Sequence, residues 1–277
     1  MVDVLTYYDQ HPINEKAIVD ALLREDKNLG KLKPSDLFLH DQDHYGGLVA
    51  VESLSKAANI GASDRVLDVC SGMGGPARYI ADAYGCQVMG LELNRSRVVS
   101  AARLTARVAL ADKVGFVCGD ATRMPFENGT FTRVVSQEAF LHIEDKTALF
   151  ANCARVLELG GCLTFTDWVA SSRLTESERA VLGEGMAAVA IHGEDEYVAY
   201  LEAGVLSDIA VEDLSVWWMK LLRQRLQMYQ EKREGTERLF GVRSYRDFID
   251  AYEIFVRVVE EGKLGGARFS AVHLEGS

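Results

Sequence analysis

The sequence predicts an α/β fold: a mostly parallel, doubly wound sheet with helices on both faces. Three observations predict it. Short apolar runs recur near residues 66–69, 87–91, 114–118, 134–136 and 162–165, as strands buried on both faces require. Segments with apolar residues at helical spacing separate them. Each run also ends in polar residues, which is where the crossovers of a parallel sheet gather functional side chains.

The first run, Val66, Leu67 and Val69, stops at Cys70-Ser71-Gly72-Met73-Gly74-Gly75. Behind it Ala77, Tyr79, Ile80, Ala81 and Tyr84 recur at helical spacing. The segment therefore reads strand, glycine turn, helix. Gly72 and Gly74 have no Cβ to hold a ligand off the backbone, and the helix start supplies unpaired N–H donors. The second run ends in Glu92, 20 residues beyond Gly72. At that spacing an acid on the second strand meets a ribose hydroxyl, which points to an adenosine ligand. The plainer alternative for Glu92 is a solvated carboxylate at a strand end.

The 277 residues suffice for a substantial core, and 48% hydrophobic with 26% charged residues is ordinary for a globular protein. A net charge of -11 argues against nucleic acid or an anionic membrane and favours a small-molecule partner. The five cysteines, Cys70, Cys86, Cys118, Cys153 and Cys162, form no Cys-x-x-Cys pair. They read as reduced thiols of a cytoplasmic protein, with neither disulfide framework nor zinc site. The start of the chain lacks a basic region followed by an apolar core, and no apolar run approaches a membrane span.

Before the sheet, residues 2–29 carry Ile13, Ala17, Ile18, Ala21 and Leu22 at helical spacing after Pro12 and read as one amphipathic helix, a lid or a subunit contact. Leu37 to Gly47 is unusually rich in polar side chains, with His40, Asp41, Gln42, Asp43, His44 and Tyr45. No third ligand accompanies the two histidines, so a loop packed over a ligand is preferred to a metal site, with a plain surface loop as the alternative. A small-residue helix is expected over 48–60. After Glu92, Asn94 is a candidate cap for the next helix. Asp120 follows the third strand and there faces the ligand crevice, to accept from an adenine amino group or simply to cap a turn. The fourth strand ends at Gln137, where a reacting centre belongs. A helix over 148–157 is expected to stop at Gly160-Gly161, before a fifth strand over 162–165.

Taken together, Val66-Leu67-Asp68 with Gly72-Met73-Gly74, Gly90-Leu91-Glu92-Leu93-Asn94, Gly119-Asp120-Ala121, Met124-Pro125-Phe126 and Arg155-Val156-Leu157 before Gly160-Gly161 resemble the class I S-adenosylmethionine-dependent methyltransferases. The resemblance covers about residues 45–170 and implies a Rossmann-like sheet. Ser136 to His142 and Ala151 to Leu157 resemble, within that family, the sarcosine/dimethylglycine and phosphoethanolamine N-methyltransferases, as more loosely does Gly262 to Gly266. One departure is Cys70, which stands where the family has the first glycine of its cofactor loop; we expect an ordinary backbone conformation there.

The resemblance implies roles by position. Gly72, Gly74 and the backbone near Cys70 border the methionine part of S-adenosylmethionine, Glu92 the ribose, and Asn94, Asp120 and Ala121 the adenine, with Asp68 also among the cofactor-binding residues. Gln137 lies near the sulfonium, and Tyr45, with Gln42 and His44, closes over the cofactor. The chemistry is an in-line displacement that leaves S-adenosylhomocysteine and needs no metal. His142 is the candidate base, or else a histidine packed at a strand end. Beyond the sheet core, helices are expected over 175–190, 194–203 and 212–234, with strands over 207–214 and 268–274. Trp217-Trp218 could line an acceptor pocket or pack in a core; Arg223 and Arg225 could grip an acceptor carboxylate or belong to a solvated face.

The domain division expected is 1–47 as N-terminal helix and lid loop, 48–170 as cofactor core, and 171–277 as helical cap and last strands. The acceptor read from this is a small amine or amino-acid-like molecule. O- or C-methylation of a secondary metabolite is the alternative within the class. Outside it stand a nicotinamide-dependent oxidoreductase, which shares the glycine turn and ribose acid, and a non-catalytic scaffold. A homodimer is possible through the N-terminal helix.

Overall fold

The computed structural model describes residues 4–9, 11, 13–42, 44–231, 233, 234, 237 and 242–274, with 242–244 as backbone. Pro12 and Asp43 lie outside the described residues. The strands are β1 (Arg65–Val69), β2 (Gln87–Glu92), β3 (Val114–Cys118), β4 (Phe131–Gln137), β5 (Leu157–Ala170), β6 (Leu206–Asp213) and β7 (Leu264–His273). They form one sheet in the order β3-β2-β1-β4-β5-β7-β6. The first five are parallel, and β7 is antiparallel to both its neighbours. The chain steps outward from β1 to β3, then returns to β4 on the other side of β1. That reversal opens a crevice at the carboxyl ends of β1 and β4.

Among the helices, α1 (Val4–Asp9), α2 (Glu15–Arg24), α3 (Pro34–Leu37) and α4 (Gly47–Ala57) precede the sheet. The crossover helices are α5 (Gly75–Tyr84), α6 (Arg95–Arg107) and α7 (Lys146–Val156), and the remainder are α8 (Glu176–Met186), α9 (Glu194–Ala203), α10 (Ser215–Glu231) and α11 (Val242–Glu260). Alternation along each strand sends neighbours to opposite faces. Val66, Val88, Val114 and Val135 pack with Leu54, Ile80 and Leu104 on one face. Leu67, Val134, Leu163 and Phe165 pack with Phe150, Tyr197 and Leu201 on the other. A third cluster, with Trp168, Leu182, Trp218, Leu222 and Phe255, joins α8, α10 and α11 to the far end of β5.

Three expectations are corrected. The N-terminal segment is two helices, because the Asn14 side chain accepts from the Ala17 amide and starts α2 afresh. Gly160-Gly161 does not stop the chain before β5. The strand begins at Leu157 and carries the glycines through a register shift against β4. The last strand begins at Leu264, so Gly265 and Gly266 are part of it. A Cβ on Gly266 would sit 2.2 Å from the Trp218 ring, so bare backbone there is what lets α10 dock on β7.

The polar loop after α3 is pinned to the start of α5. Arg78 and Asp41 form an ion pair at 2.8 Å with both side chains fully buried, and Arg78 also donates to the Met73 carbonyl at 2.8 Å. No helix among the described residues is long and apolar enough to cross a membrane.

Candidate active site

One cavity occupies the crevice. Asp68, Cys70, Gly72, Glu92, Asn94, Asp120 and Ala121 line one wall; Tyr8, Glu138, Leu141, His142, Trp168, Met186, Arg225 and Tyr252 line the other, with His44, Tyr45 and Gln137 between them. Strand ends supply most of the first wall. The second is built from α1, the turn after β4 and the helices of the cap.

Glu92 organises the first wall. Its Oε2 accepts from the Gly72 amide at 2.9 Å and its Oε1 from the Asn94 amide at 2.8 Å. A carboxylate oxygen can accept more than one hydrogen bond, so both retain capacity for hydroxyl donors. Asp68 is buried, and its Oδ2 has no hydrogen-bond partner. Burial, reinforced by the nearby Glu92 charge, pushes its carboxyl up to about 7.

Cys70 does not adopt the ordinary conformation expected of it. Its φ is 62°, in the left-handed region that glycine tolerates and other residues reach at a cost. Burial also raises its thiol well above the usual range. Gly74 is a second correction, because it does not line the cavity. With φ 75° it turns the chain into α5, and a Cβ there would lie 2.5 Å from Phe116 and 2.9 Å from Arg78. It serves the packing behind the loop.

Asn94 and Asp120 line the cavity while acting as caps. Asn94 Oδ1 accepts from the Ser96 amide, and its Nδ2 donates to Asp9 at 2.7 Å, tying α1 to the site. Asp120 Oδ1 accepts from the Thr122 amide and hydroxyl. Ala121 is buried beside it.

The floor is a relay of short contacts. His44 Nε2 meets Gln42 Oε1 at 2.9 Å, and His44 Nδ1 lies 3.3 Å from Gln137 Nε2. Gln137 Oε1 is buried without a partner. The Tyr45 amide donates to Glu138 Oε2 at 2.8 Å, and Thr166 Oγ1 donates to Glu138 Oε1 at 2.6 Å. Glu138 has φ 45°, which turns its side chain into the crevice directly after β4. Burial pushes its carboxyl up to about 8, against the two hydrogen bonds that favour the charged form.

On the second wall, His142 Nδ1 lies 2.8 Å from the Ala187 carbonyl and Nε2 lies 2.8 Å from the Tyr8 hydroxyl. A carbonyl only accepts, so Nδ1 carries a proton, and in the neutral ring Nε2 accepts from Tyr8. The turn holding His142 is fastened by Lys146, whose Nζ donates to the Phe140, Ile143 and Ala190 carbonyls. Burial lowers this ammonium to about 8.

Trp217 and Arg223 stand outside the cavity. The Trp217 ring packs over Gly46, where a Cβ would meet it at 2.3 Å, and Arg223 pairs with Glu260 on an exposed flank. One helical turn does not span both faces, so Arg225, two residues on, reaches the cavity that Arg223 misses. Tyr8 and Glu138 were not singled out from the sequence. Tyr8 is 134 residues from His142, and no local pattern announces that pairing. Glu138 did carry a signal, being a carboxylate next to Gln137 at the end of a parallel strand.

The hydrogen-bond acceptors of the first wall fit S-adenosylmethionine: Asp68 offers an uncommitted acceptor for an ammonium, and Glu92 offers acceptors for a diol. Residues 67–165 match the family described as "Methyltransferase domain". Over 124 residues the chain is 36% identical to the sterol 24-C-methyltransferase of Eremothecium gossypii, a stretch covering 45% of this chain and 33% of that one. It is 27% identical over 220 residues to the phosphoethanolamine N-methyltransferase of Plasmodium falciparum, covering 79% and 80% respectively. The chain thus spans a third of the first relative and four-fifths of the second. Among solved structures, phosphoethanolamine N-methyltransferase 2 of Haemonchus contortus, in complex with phosphomonomethylethanolamine and S-adenosylhomocysteine, superposes with a TM-score of 0.78 at 20% identity. That match covers 99% of this chain and 61% of that one. At that identity the likeness is one of fold.

Proposed function

We propose that this chain, a class I S-adenosylmethionine-dependent methyltransferase by its domain and its sheet, transfers a methyl group to a nitrogen of a small-molecule acceptor. The observation that carries the reading is that a single cavity is lined by Glu92, by Gln137 and by the Tyr8–His142 pair. C-methylation, the activity named for the sterol relative, and O-methylation have no cavity observation of their own in favour.

On this reading Glu92 holds the ribose hydroxyls, Asp120 and Ala121 border the adenine, and Asp68 takes the amino group of the methionine part. The cofactor supplies an electrophilic methyl carbon on a sulfonium. The chain's task is to bring the acceptor in line with that carbon and keep water out. Leu141, Ile143 and Met186 supply an apolar lining. An amine acceptor must shed a proton to expose its lone pair. His142 Nε2, already accepting from Tyr8, can take the Tyr8 proton as Tyr8 takes one from the acceptor. The Nδ1–H bond to Ala187 then steadies the resulting imidazolium.

The test is incubation with methyl-labelled cofactor and a mixed panel of amines, phenols and indoles, read by mass. Label on an amine nitrogen is expected. Label on oxygen or carbon would transfer the reading to the alternative acceptors, and failure to bind S-adenosylhomocysteine would overturn it altogether.

A further inference from the structure

We infer that Lys146 is a positioning residue: by lashing the turn that carries His142 to the loop that carries its hydrogen-bond acceptor, it fixes which ring nitrogen faces Tyr8. The inference rests on the proposed proton path from Tyr8 to His142 and adds the group that keeps that path aligned.

His142 ends a single short turn, Phe140–His142, just after β4. Its ring is oriented from elsewhere, because the Ala187 carbonyl beside Nδ1 lies 45 residues on, in the loop that follows α8. Which nitrogen of a histidine is protonated is set by the bond the other makes, so the placing of this one carbonyl sets the tautomer. Ala187 ends α8 with φ 52°. A non-glycine residue holds that left-handed conformation at a cost and only where its surroundings impose it.

Lys146 links the two segments. It is 1% exposed, and its Nζ donates to the Phe140 carbonyl at 2.8 Å, the Ile143 carbonyl at 2.6 Å and the Ala190 carbonyl at 3.1 Å. The first two bracket His142 in the chain, and the third belongs to the Ala187 loop. The Ala190 amide donates back to the Leu141 carbonyl at 2.9 Å, so turn and loop are joined by bonds in both directions. The loop has other fastenings: Arg179 donates to the Ile191 carbonyl at 2.6 Å, and the Ala170 amide to the His192 carbonyl at 2.8 Å. Those hold it to α8 and β5, and neither reaches the turn.

All three N–H donors of the ammonium go to carbonyls. Asp167, the carboxylate whose charge most favours the ammonium, accepts from the Tyr197 hydroxyl at 2.8 Å instead. A charge buried without an ion-pair partner is costly, whereas a methionine of similar length would bury no charge. The difference between the two side chains is three hydrogen bonds, and each of them ends beside His142 or in the loop that orients it.

The readout is the tautomer of the His142 ring in long-range 1H–15N spectra of the protein loaded with S-adenosylhomocysteine, with His142→Gln identifying the signal among the six histidines. Wild type should show a protonated Nδ1 and a bare Nε2 in the neutral ring. Lys146→Met, which keeps the length and removes the donors, should move both nitrogens toward the averaged shifts of exchanging tautomers. Lys146→Gln, one bond shorter and with two N–H donors, should move them part of the way, and it decides the question if the methionine variant does not fold. Leu149→Ala is the control. Leu149 is fully buried on the same helix, so its truncation lowers stability through packing alone and should leave the His142 signals in place. On any amine that the labelling panel identifies, Lys146→Met should lower kcat by about tenfold to a hundredfold, with KM and S-adenosylhomocysteine affinity held, and Leu149→Ala should not. If His142 keeps its Nδ1–H form in the Lys146 variants, or Leu149→Ala disturbs it equally, the inference is overturned and the methyltransferase reading stands. If S-adenosylhomocysteine fails to bind, that reading falls, and the spectra of the unloaded protein still decide what Lys146 holds.

Discussion

Replacing Glu138 by glutamine should change the slope of stability against pH. Glu138 is half-buried in the cavity wall with a carboxyl raised from 4.5 to about 8. The folded state therefore holds a proton that the unfolded state releases, and wild-type stability falls as pH rises from the unfolded value through the folded one. Glutamine copies the protonated form. Its carbonyl oxygen accepts from the Tyr45 amide, and its NH2 donates to Thr166 Oγ1 once that hydroxyl rotates. The variant therefore keeps both contacts and loses the titration. Each pH unit is worth about 1.4 kcal/mol, and the full shift would sum to roughly 4–5 kcal/mol. Partial exposure reduces this to on the order of 2–3 kcal/mol between pH 5 and pH 8. The assay is urea unfolding of both proteins at four pH values across that range. Asp68 and Asp167 contribute to both curves and cancel in the difference. The gap should widen in favour of the variant as pH rises. A constant gap would refute the claim that Glu138 is held protonated by burial.

Three further outcomes are expected. Glu92→Ala, which removes the acceptor of the Gly72 and Asn94 amides, should weaken S-adenosylhomocysteine binding by roughly 1–3 kcal/mol in calorimetry; unchanged affinity would end the ribose assignment. Tyr8→Phe, which breaks the bond to His142, should lower kcat for methyl transfer by about a hundredfold while leaving product-nucleoside affinity intact, and full turnover would remove Tyr8 from the proton path. Cys70→Gly relieves a left-handed strain of roughly 1–2 kcal/mol and adds an unfolded-state entropy cost of roughly 0.5–1 kcal/mol. Its thermal midpoint should stay near wild type, whereas Cys70→Val, β-branched at the same φ, should fall clearly below it.

The sheet was legible because its signals are local. Val66 to Val69, the glycines after them and Glu92 at 20 residues form a strand, turn and second strand whose order follows from buried runs and chain stiffness. Glu92, Asp120, Gln137 and His142 were found by the same rule, since each follows a parallel strand and the topology carries all such residues to one crevice. Position along the chain did not reveal what the side chains do there. Asn94 and Asp120 spend hydrogen-bonding capacity on caps, and Gly74 makes room for Phe116 behind the loop.

The second wall needed the tertiary structure. Tyr8 meets His142 across 134 residues, a contact set by how α1 lies over the sheet and not by any spacing within either segment. The choice of Arg225 over Arg223 turns on which face of α10 the cap presents, and Gly266 decides that by admitting Trp218 against β7. The burial that raises Glu138 likewise arises only when helices distant in sequence close over one strand end. By itself the sequence determined the alternation of strands and helices, the crevice and the class of cofactor, because those follow from short-range pattern, whereas the strand order and the antiparallel β7 came from the tertiary structure. The second wall of the cavity was decided by long-range packing, which brings together side chains from elements distant in sequence, as it does Tyr8 and His142.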